Sequence, residues 1–220
     1  DLNFGPEYLI PKPFDPRLIV KIAPAVAQAA MDSGVATRPI TDWAAYRAKL
    51  SEFVYHTGVG MRAIFQAARQ AQGKRIIYAE GEDERVLRAV RQAVDEGIAE
   101  PILIGRPDII EERIRRLGLN LHLGPDVGVI DPENDPRFRT YWETYHTLMG
   151  RDGVTPDAAK MAVRRSNTVI GGLAVRLGDA DAMICGLVGS YDRHLDTLRN
   201  IIGTQPGEKF AALNAVILEN

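Results

Sequence analysis

Three stretches of this sequence place chemistry-bearing residue types at spacings a ligand could use. The first, Gly58-Val59-Gly60-Met61-Arg62-Ala63, matches the loose glycine fingerprint of dinucleotide-binding turns. Glu80 stands about twenty residues further on, where an acid would meet a ribose hydroxyl. That fingerprint requires a strand before it, because its glycines turn the chain and let backbone amides approach a pyrophosphate. Here Trp43 to Val54 follow a helical stripe that resumes after the glycines. A glycine-weakened helix is the better reading, and the dinucleotide site is rejected.

The second stretch is Glu80-Gly81-Glu82-Asp83-Glu84, at the end of an expected strand. Strand-to-helix turns bind ligands in parallel sheets. Acids at a helix N-terminus, however, already complement its positive dipole end and would repel a phosphate. An acid-capped helix is therefore preferred, and a metal site lacks a second group of ligands.

The third stretch runs from Gly186 to Arg199. Gly186 and Gly189 allow close backbone approach, Ser190 and Thr197 supply hydroxyls, and Arg193, His194 and Arg199 supply positive charge. The planar arginine fork suits phosphate or carboxylate. Gly189, Ser190, Arg193, His194, Thr197 and Arg199 are the resulting effector- or anion-site candidates. The alternative is a solvated helix face on which Asp192 and Asp196 balance Arg193 and His194. No catalytic or metal-ligating residue is assigned. His56, His122 and His146 are isolated and lack zinc spacing. Cys185, in an apolar run, reads as a buried, inert thiol.

The elements that must position these residues follow from periodicity. A short helix pattern lies within 17–37, ended by Ser33-Gly34, and a long helical stripe runs from Trp43 to Ala68 with Thr41 as its N-cap. From Lys74 the pattern alternates. Strands are expected at Arg75–Ala79, Pro101–Gly105, Val127–Ile130 and Ala182–Cys185. Helices are expected at 83–96, 108–117, 136–149 and 156–177. Strands spaced by helices argue for an α/β fold, a parallel sheet sandwiched by helices and preceded by a helical linker. Both ends read as cut. Four prolines between Pro6 and Pro16 make a strap, extended because proline lacks a donor and biases its predecessor. The run 211–218 is core-like, where a natural terminus is more often polar.

Composition bounds the class. The 220 residues are 45% hydrophobic and 25% charged, with 27 basic against 29 acidic side chains. That excludes a disordered tail, a disulfide scaffold and charge-driven nucleic-acid binding. No apolar run is long enough to cross a bilayer, and no secretory signal is visible. A single cysteine fits a reducing compartment, so a cytoplasmic protein is expected.

Several segments carry a family resemblance. Gly81-Glu82-Asp83-Glu84-Arg85, Tyr145 through Gly153-Val154-Thr155, Asp179 through Gly186, and Asp196-Thr197-Leu198-Arg199 resemble phosphate acetyltransferases. Phe4 through Arg17 looks like the last part of a bacterial malic enzyme domain. Their order along the chain is similar to that of the large hybrid malic enzymes, in which a malic enzyme domain precedes a phosphate-acetyltransferase-like one. The resemblance covers essentially the whole chain. It implies residues 1–40 as the end of the malic enzyme domain, 41–73 as a linker helix and 74–220 as the first half of the acetyltransferase-like domain. The implied fold is of the isocitrate/isopropylmalate-dehydrogenase type. The implied parent decarboxylates malate oxidatively to pyruvate with NADP and Mg2+ or Mn2+, at sites outside these residues.

Residue transfer from that resemblance is mixed. Arg199 matches the arginine associated with substrate phosphate and coenzyme A. Met149 falls where a second active-site arginine is expected, with Arg151 two positions off and on another helix face. The family's catalytic serine, arginine and aspartate are expected beyond Asn220. Losing one of two anion clamps weakens charge stabilisation in acyl transfer. The expectation is thus a regulatory domain that binds acetyl-CoA and helps assemble a homo-oligomer, the 220 residues alone being inactive. A working phosphate acetyltransferase and a purely structural oligomerisation module are the alternatives. No nucleic-acid or membrane partner is expected.

Overall fold

The computed structural model describes residues 16–54, 58–71 and 73–211; the proline strap 6–15, the apolar run 212–218 and His56 lie outside them. The chain divides into two compact units at residues 67/68.

In the N-terminal unit, α1 (Pro16–Asp32) and α2 (Trp43–Val54) pack against each other. Gly34, at φ 75°, lets the chain leave α1 where a side chain would be strained. The cap of α2 is Asp42 and not Thr41: the Ala45 amide donates to Asp42 Oδ1 at 2.9 Å. A carboxylate one residue nearer the helix outcompetes the threonine, because the cap must reach the amide of N2 or N3. The expected single stripe holds two helices among the described residues, α2 and α3 (Gly58–Gln70). Gly58 and Gly60 thus sit in the first turn of α3, and among the described residues the element before them is a helix.

The second unit is a three-layer sandwich. Strands β1 (Arg75–Tyr78), β2 (Glu100–Ile104), β3 (Gly128–Ile130) and β4 (Ala182–Ile184) form one parallel sheet in the order β3-β2-β1-β4. Each lies within one residue of its expected limits. Side chains alternate across the sheet, so adjacent Leu103 and Ile104 enter opposite cores. Leu103 meets Leu87 and Val90 of α4 (Glu84–Glu96) and Ile110 and Ile114 of α5 (Pro107–Arg116). Ile77, Ile104 and Ile130 meet α6 (Phe138–Met149), α7 (Pro156–Arg165), α8 (Asn167–Leu177) and α9 (Tyr191–Ile201). Both faces are covered over β1, β2 and β3, as a parallel sheet requires, while Ala182 and Ile184 on the edge strand β4 stay exposed.

The expected helix 156–177 is two. Ser166, at φ −131° and ψ 105°, ends α7, and its hydroxyl accepts from the Val169 amide at 3.3 Å to start α8. The apolar stripe runs on through the break, but the Ser166 and Asn167 side chains both take backbone partners there. Asn167 Nδ2 donates to the Ala79 carbonyl at 2.7 Å, tying the break to the end of β1. Ser166→Ala is expected to cost about 1 kcal/mol of unfolding free energy in urea denaturation. A loss below about 0.3 kcal/mol would mean that the cap is idle.

From Thr168 to Ala174, α8 is buried on every side. A Cβ on Gly171 would meet Met183 Cε at 2.8 Å, and one on Gly172 would meet Leu198 Cδ2 at 3.3 Å. These glycines let one helix touch the sheet and α9 at once. No described helix is long and apolar enough to cross a membrane.

Candidate functional site

Strand order reverses between β1 and β4. The chain leaves β1 through α4 toward β2, then returns from β3 to place β4 on β1's other side. The crevice beyond the carboxyl ends of two such strands is where open α/β sheets bind ligands. A cavity of about 490 Å³ lies there, within the size range of small-molecule sites. Tyr78 of β1 and Glu80 just beyond it, Val86 and Ala89 from α4, and Ile184 of β4 with Cys185 and Leu187 after it line it. The lining is mostly apolar, with Glu80 and Arg85 as its charged members.

The acidic stretch separates into roles. Asp83 caps α4, and hydrogen bonds from Arg85 hold its carboxyl at about 2. Glu82 receives the Arg106 fork at 2.9 and 3.0 Å, which holds its carboxyl below the ordinary value against the opposing effect of burial. Glu84 pairs with Arg116. These three acids serve the helix and its neighbours, which is the acid-cap arrangement. Glu80 differs: its Oε1 accepts from the Gly186 amide at 2.9 Å and links the ends of β1 and β4 across the cavity. Burial, then the Glu80 charge, pushes the half-buried Cys185 thiol upward, so little thiolate forms at neutral pH.

The six anion-site candidates do not form one cluster. Gly189, at φ 110°, and Ser190 close the loop after β4, and Ser190 stands at the N-cap of α9 with no side-chain cap bond. Arg193 is exposed one turn on. His194 lies on the loop side of α9 with both ring nitrogens engaged. Nδ1 lies 2.8 Å from the Thr168 hydroxyl, and Nε2 lies 2.8 Å from the Val188 carbonyl. A carbonyl only accepts, so Nε2 carries the proton, and in the neutral ring Thr168 donates to Nδ1. The Thr197 hydroxyl donates to the Arg193 carbonyl at 2.8 Å. Arg199 pairs with Asp196 at 2.8 Å, and its guanidinium lies 5.5 Å from the Phe210 ring centroid. At about 100° per residue it falls somewhat over a third of a turn around α9 from Arg193 and His194, and about 13 Å along the axis from Ser190. The balanced-face alternative differs in its partners, for Asp196 faces Arg199 and His194 faces Thr168.

Met149 ends α6, half-buried. Arg151 is exposed in a 3-10 turn over Gly150–Asp152 and not on the helix, because Gly150 and Gly153 tighten the chain there. Thr168 is the site residue that sequence reasoning missed, and Glu80, named there as part of the acidic stretch, has a role that stretch did not suggest. Nothing local marks either role, since each acts through a partner 26 residues away for Thr168 and 106 for Glu80. Among the described residues, no three His, Cys, Asp or Glu side chains come together as metal ligands.

Comparison with known proteins agrees with this architecture. The family model for phosphate acetyl/butaryl transferase matches residues 60–220. The solved phosphotransacetylase of Streptococcus pyogenes superposes with a TM-score of 0.60 at 27% identity, over 68% of this chain and 45% of that one. The NADP-dependent malic enzyme of Escherichia coli is 54% identical over 219 residues, 99% of this chain and 29% of its own length. The NAD-dependent malic enzyme of Rhizobium meliloti is 56% identical over 97% of this chain and 28% of its own. The chain thus spans under a third of the length of these malic enzymes. Sheet order, the cavity beyond β1 and β4 and the matched span lead to one assignment: the chain belongs to the phosphate acetyl/butaryl transferase family.

Proposed function

We propose that this chain is the acyl-CoA-sensing part of a malic enzyme that oxidatively decarboxylates malate to pyruvate with NADP and a divalent metal bound elsewhere. The observation that carries the reading is identity above half with malic enzymes over nearly the whole chain, in a domain whose family handles acyl groups. Acetyl-CoA presents an apolar thioester arm and a phosphate-bearing end. The apolar cavity suits the first, and Ser190, Arg193 and Arg199 are cationic or hydrogen-bonding points for the second. Binding lowers malate turnover only if it favours one of two states of the enzyme, because a ligand shifts an equilibrium by its differential affinity alone. The protein acts in the cytoplasm as a homo-oligomer that this domain helps assemble.

The test is NADP reduction by malate in the intact protein as acetyl-CoA is titrated, with NAD run in parallel. A falling rate is expected. Arg199→Ala should raise the half-effective acetyl-CoA concentration roughly tenfold, the effect of losing one charge-assisted contact. A flat response in the wild type would sink the effector reading. A second reading, active phosphate acetyltransferase, is favoured by the family match and opposed by Met149. Phosphate-dependent formation of acetyl phosphate from acetyl-CoA would establish it.

A further inference from the structure

Thr168 is buried, 6% exposed, in the first turn of the apolar α8. A hydroxyl in such a place must find a partner, and its partner is His194 Nδ1 at 2.8 Å. The other ring nitrogen reaches the Val188 carbonyl, also at 2.8 Å, inside the loop that follows β4. The ring is pressed against that loop: a Cβ on Gly189 would lie 2.9 Å from Nε2, and Gly189 already needs φ 110°. The loop's other end is held where the Gly186 amide donates to Glu80. A segment with two left-handed glycines and the exposed Val188 is therefore held at its start by Glu80 and at its middle by His194.

We propose that Thr168 and His194 act as positioning residues: a buried hydroxyl orients the imidazole, and the imidazole sets the Gly186–Ser190 loop at the mouth of the cavity for ligand binding. The ring does this as an acceptor toward Thr168 and a donor toward Val188, and both its nitrogens are committed to that task. His194 therefore supports the ligand loop without itself contacting an anion. The ligand arm of this inference rests on the reading of the loop as an acyl-CoA site; the loop-setting arm does not.

The test compares His194→Leu, His194→Gln and Thr168→Val in the intact protein. A glutamine amide carries an acceptor and a donor on one carbon, as the ring carries its nitrogens, whereas leucine has neither. Two readouts are followed: the iodoacetamide alkylation rate of the Cys185 peptide by mass spectrometry, and acetyl-CoA affinity by calorimetry. Cys185 immediately precedes the loop and, half-buried, lines the cavity beside Gly186 and Leu187. His194→Leu and Thr168→Val should speed its alkylation roughly fivefold and weaken acetyl-CoA about tenfold, with His194→Gln returning both most of the way. Unchanged alkylation in His194→Leu would overturn the positioning role. Faster alkylation with unchanged affinity would overturn its ligand role and with it the placing of acetyl-CoA at this loop. Failure of glutamine to rescue a folded protein would mean that ring packing, and not hydrogen bonding, sets the loop. If the wild type binds no acetyl-CoA, the effector reading falls, and the alkylation arm still decides whether the loop is held this way.

Discussion

Leu173→Ala is expected to remove about 3–5 kcal/mol from the unfolding free energy, the largest single-residue loss among these substitutions. Leu173 is fully buried in the cluster that joins Ile77 and Ile104 of the sheet to Val163, Ile170 and Ile201 of the helices. Lost transfer energy accounts for part of the cost. The rest depends on whether the surroundings can close over the void. They cannot do so easily here. Gly171 and Gly172 already bring the α8 backbone against Met183 and Leu198, so the helix has no room to move toward either neighbour. Against a typical total of about 5–15 kcal/mol, such a loss removes about a fifth of the stability or more. Chemical denaturation should show a lower midpoint at unchanged slope. Leu173→Met, which conserves volume, should cost under about 1.5 kcal/mol. A measured loss below about 1 kcal/mol for alanine would show that the core relaxes and that the glycine argument is wrong.

Arg137→Ala is expected to cost about 2–3 kcal/mol at neutral pH and to change how stability depends on acid. The Asp135 side chain is 8% exposed and receives the Arg137 fork at 2.8 and 2.7 Å. The same guanidinium lies 3.6 Å from Asp179, which accepts from the Tyr141 hydroxyl at 2.7 Å. Removing one partner of a buried pair leaves a charge without compensation, which is worth more than the pair's net contribution. Arg137 is itself 36% exposed, so water can replace part of what it supplied, and the expected figure is set below that for a fully buried pair.

The direction with pH follows from Asp135. Burial alone would raise its carboxyl, but the hydrogen bonds and charge of Arg137 outweigh burial and hold it below the ordinary value. A carboxyl depressed in the folded state stabilises the fold above its unfolded pKa of about 4, and the contribution is lost as pH falls through the folded value. Without Arg137, burial acts unopposed. Stability curves of wild type and variant should therefore converge as pH falls below about 4. Asp135→Asn in the Arg137→Ala background should restore part of the loss at pH 7. Parallel curves from pH 7 to pH 3 would show that the pair is not the acid-sensitive element.

Much of the architecture is legible in the local pattern. Ile76, Ile102, Val129 and Met183 sit in short apolar runs bounded by turn residues, and each run became a strand of the sheet. Asp83 precedes an apolar periodicity, and it caps α4. Such features depend on neighbours a few residues away, which periodicity and capping chemistry read directly. Ser166 marks the limit: the stripe of apolar residues passes through it unbroken, and the break is made by a side chain whose capping bond no periodicity reveals.

The amino-acid sequence by itself therefore determined the alternation of strands and helices, the two apolar faces of the sheet and the family resemblance, because each is written in short-range order. Tertiary structure alone decided that β4 pairs with β1, which opens a cavity between segments about a hundred residues apart. It also gave Glu80 the Gly186 amide and gave His194 to Thr168. A partner chosen across the sheet is set by which helix faces bury together. That is a property of the packed core, and no residue's neighbours in the chain encode it.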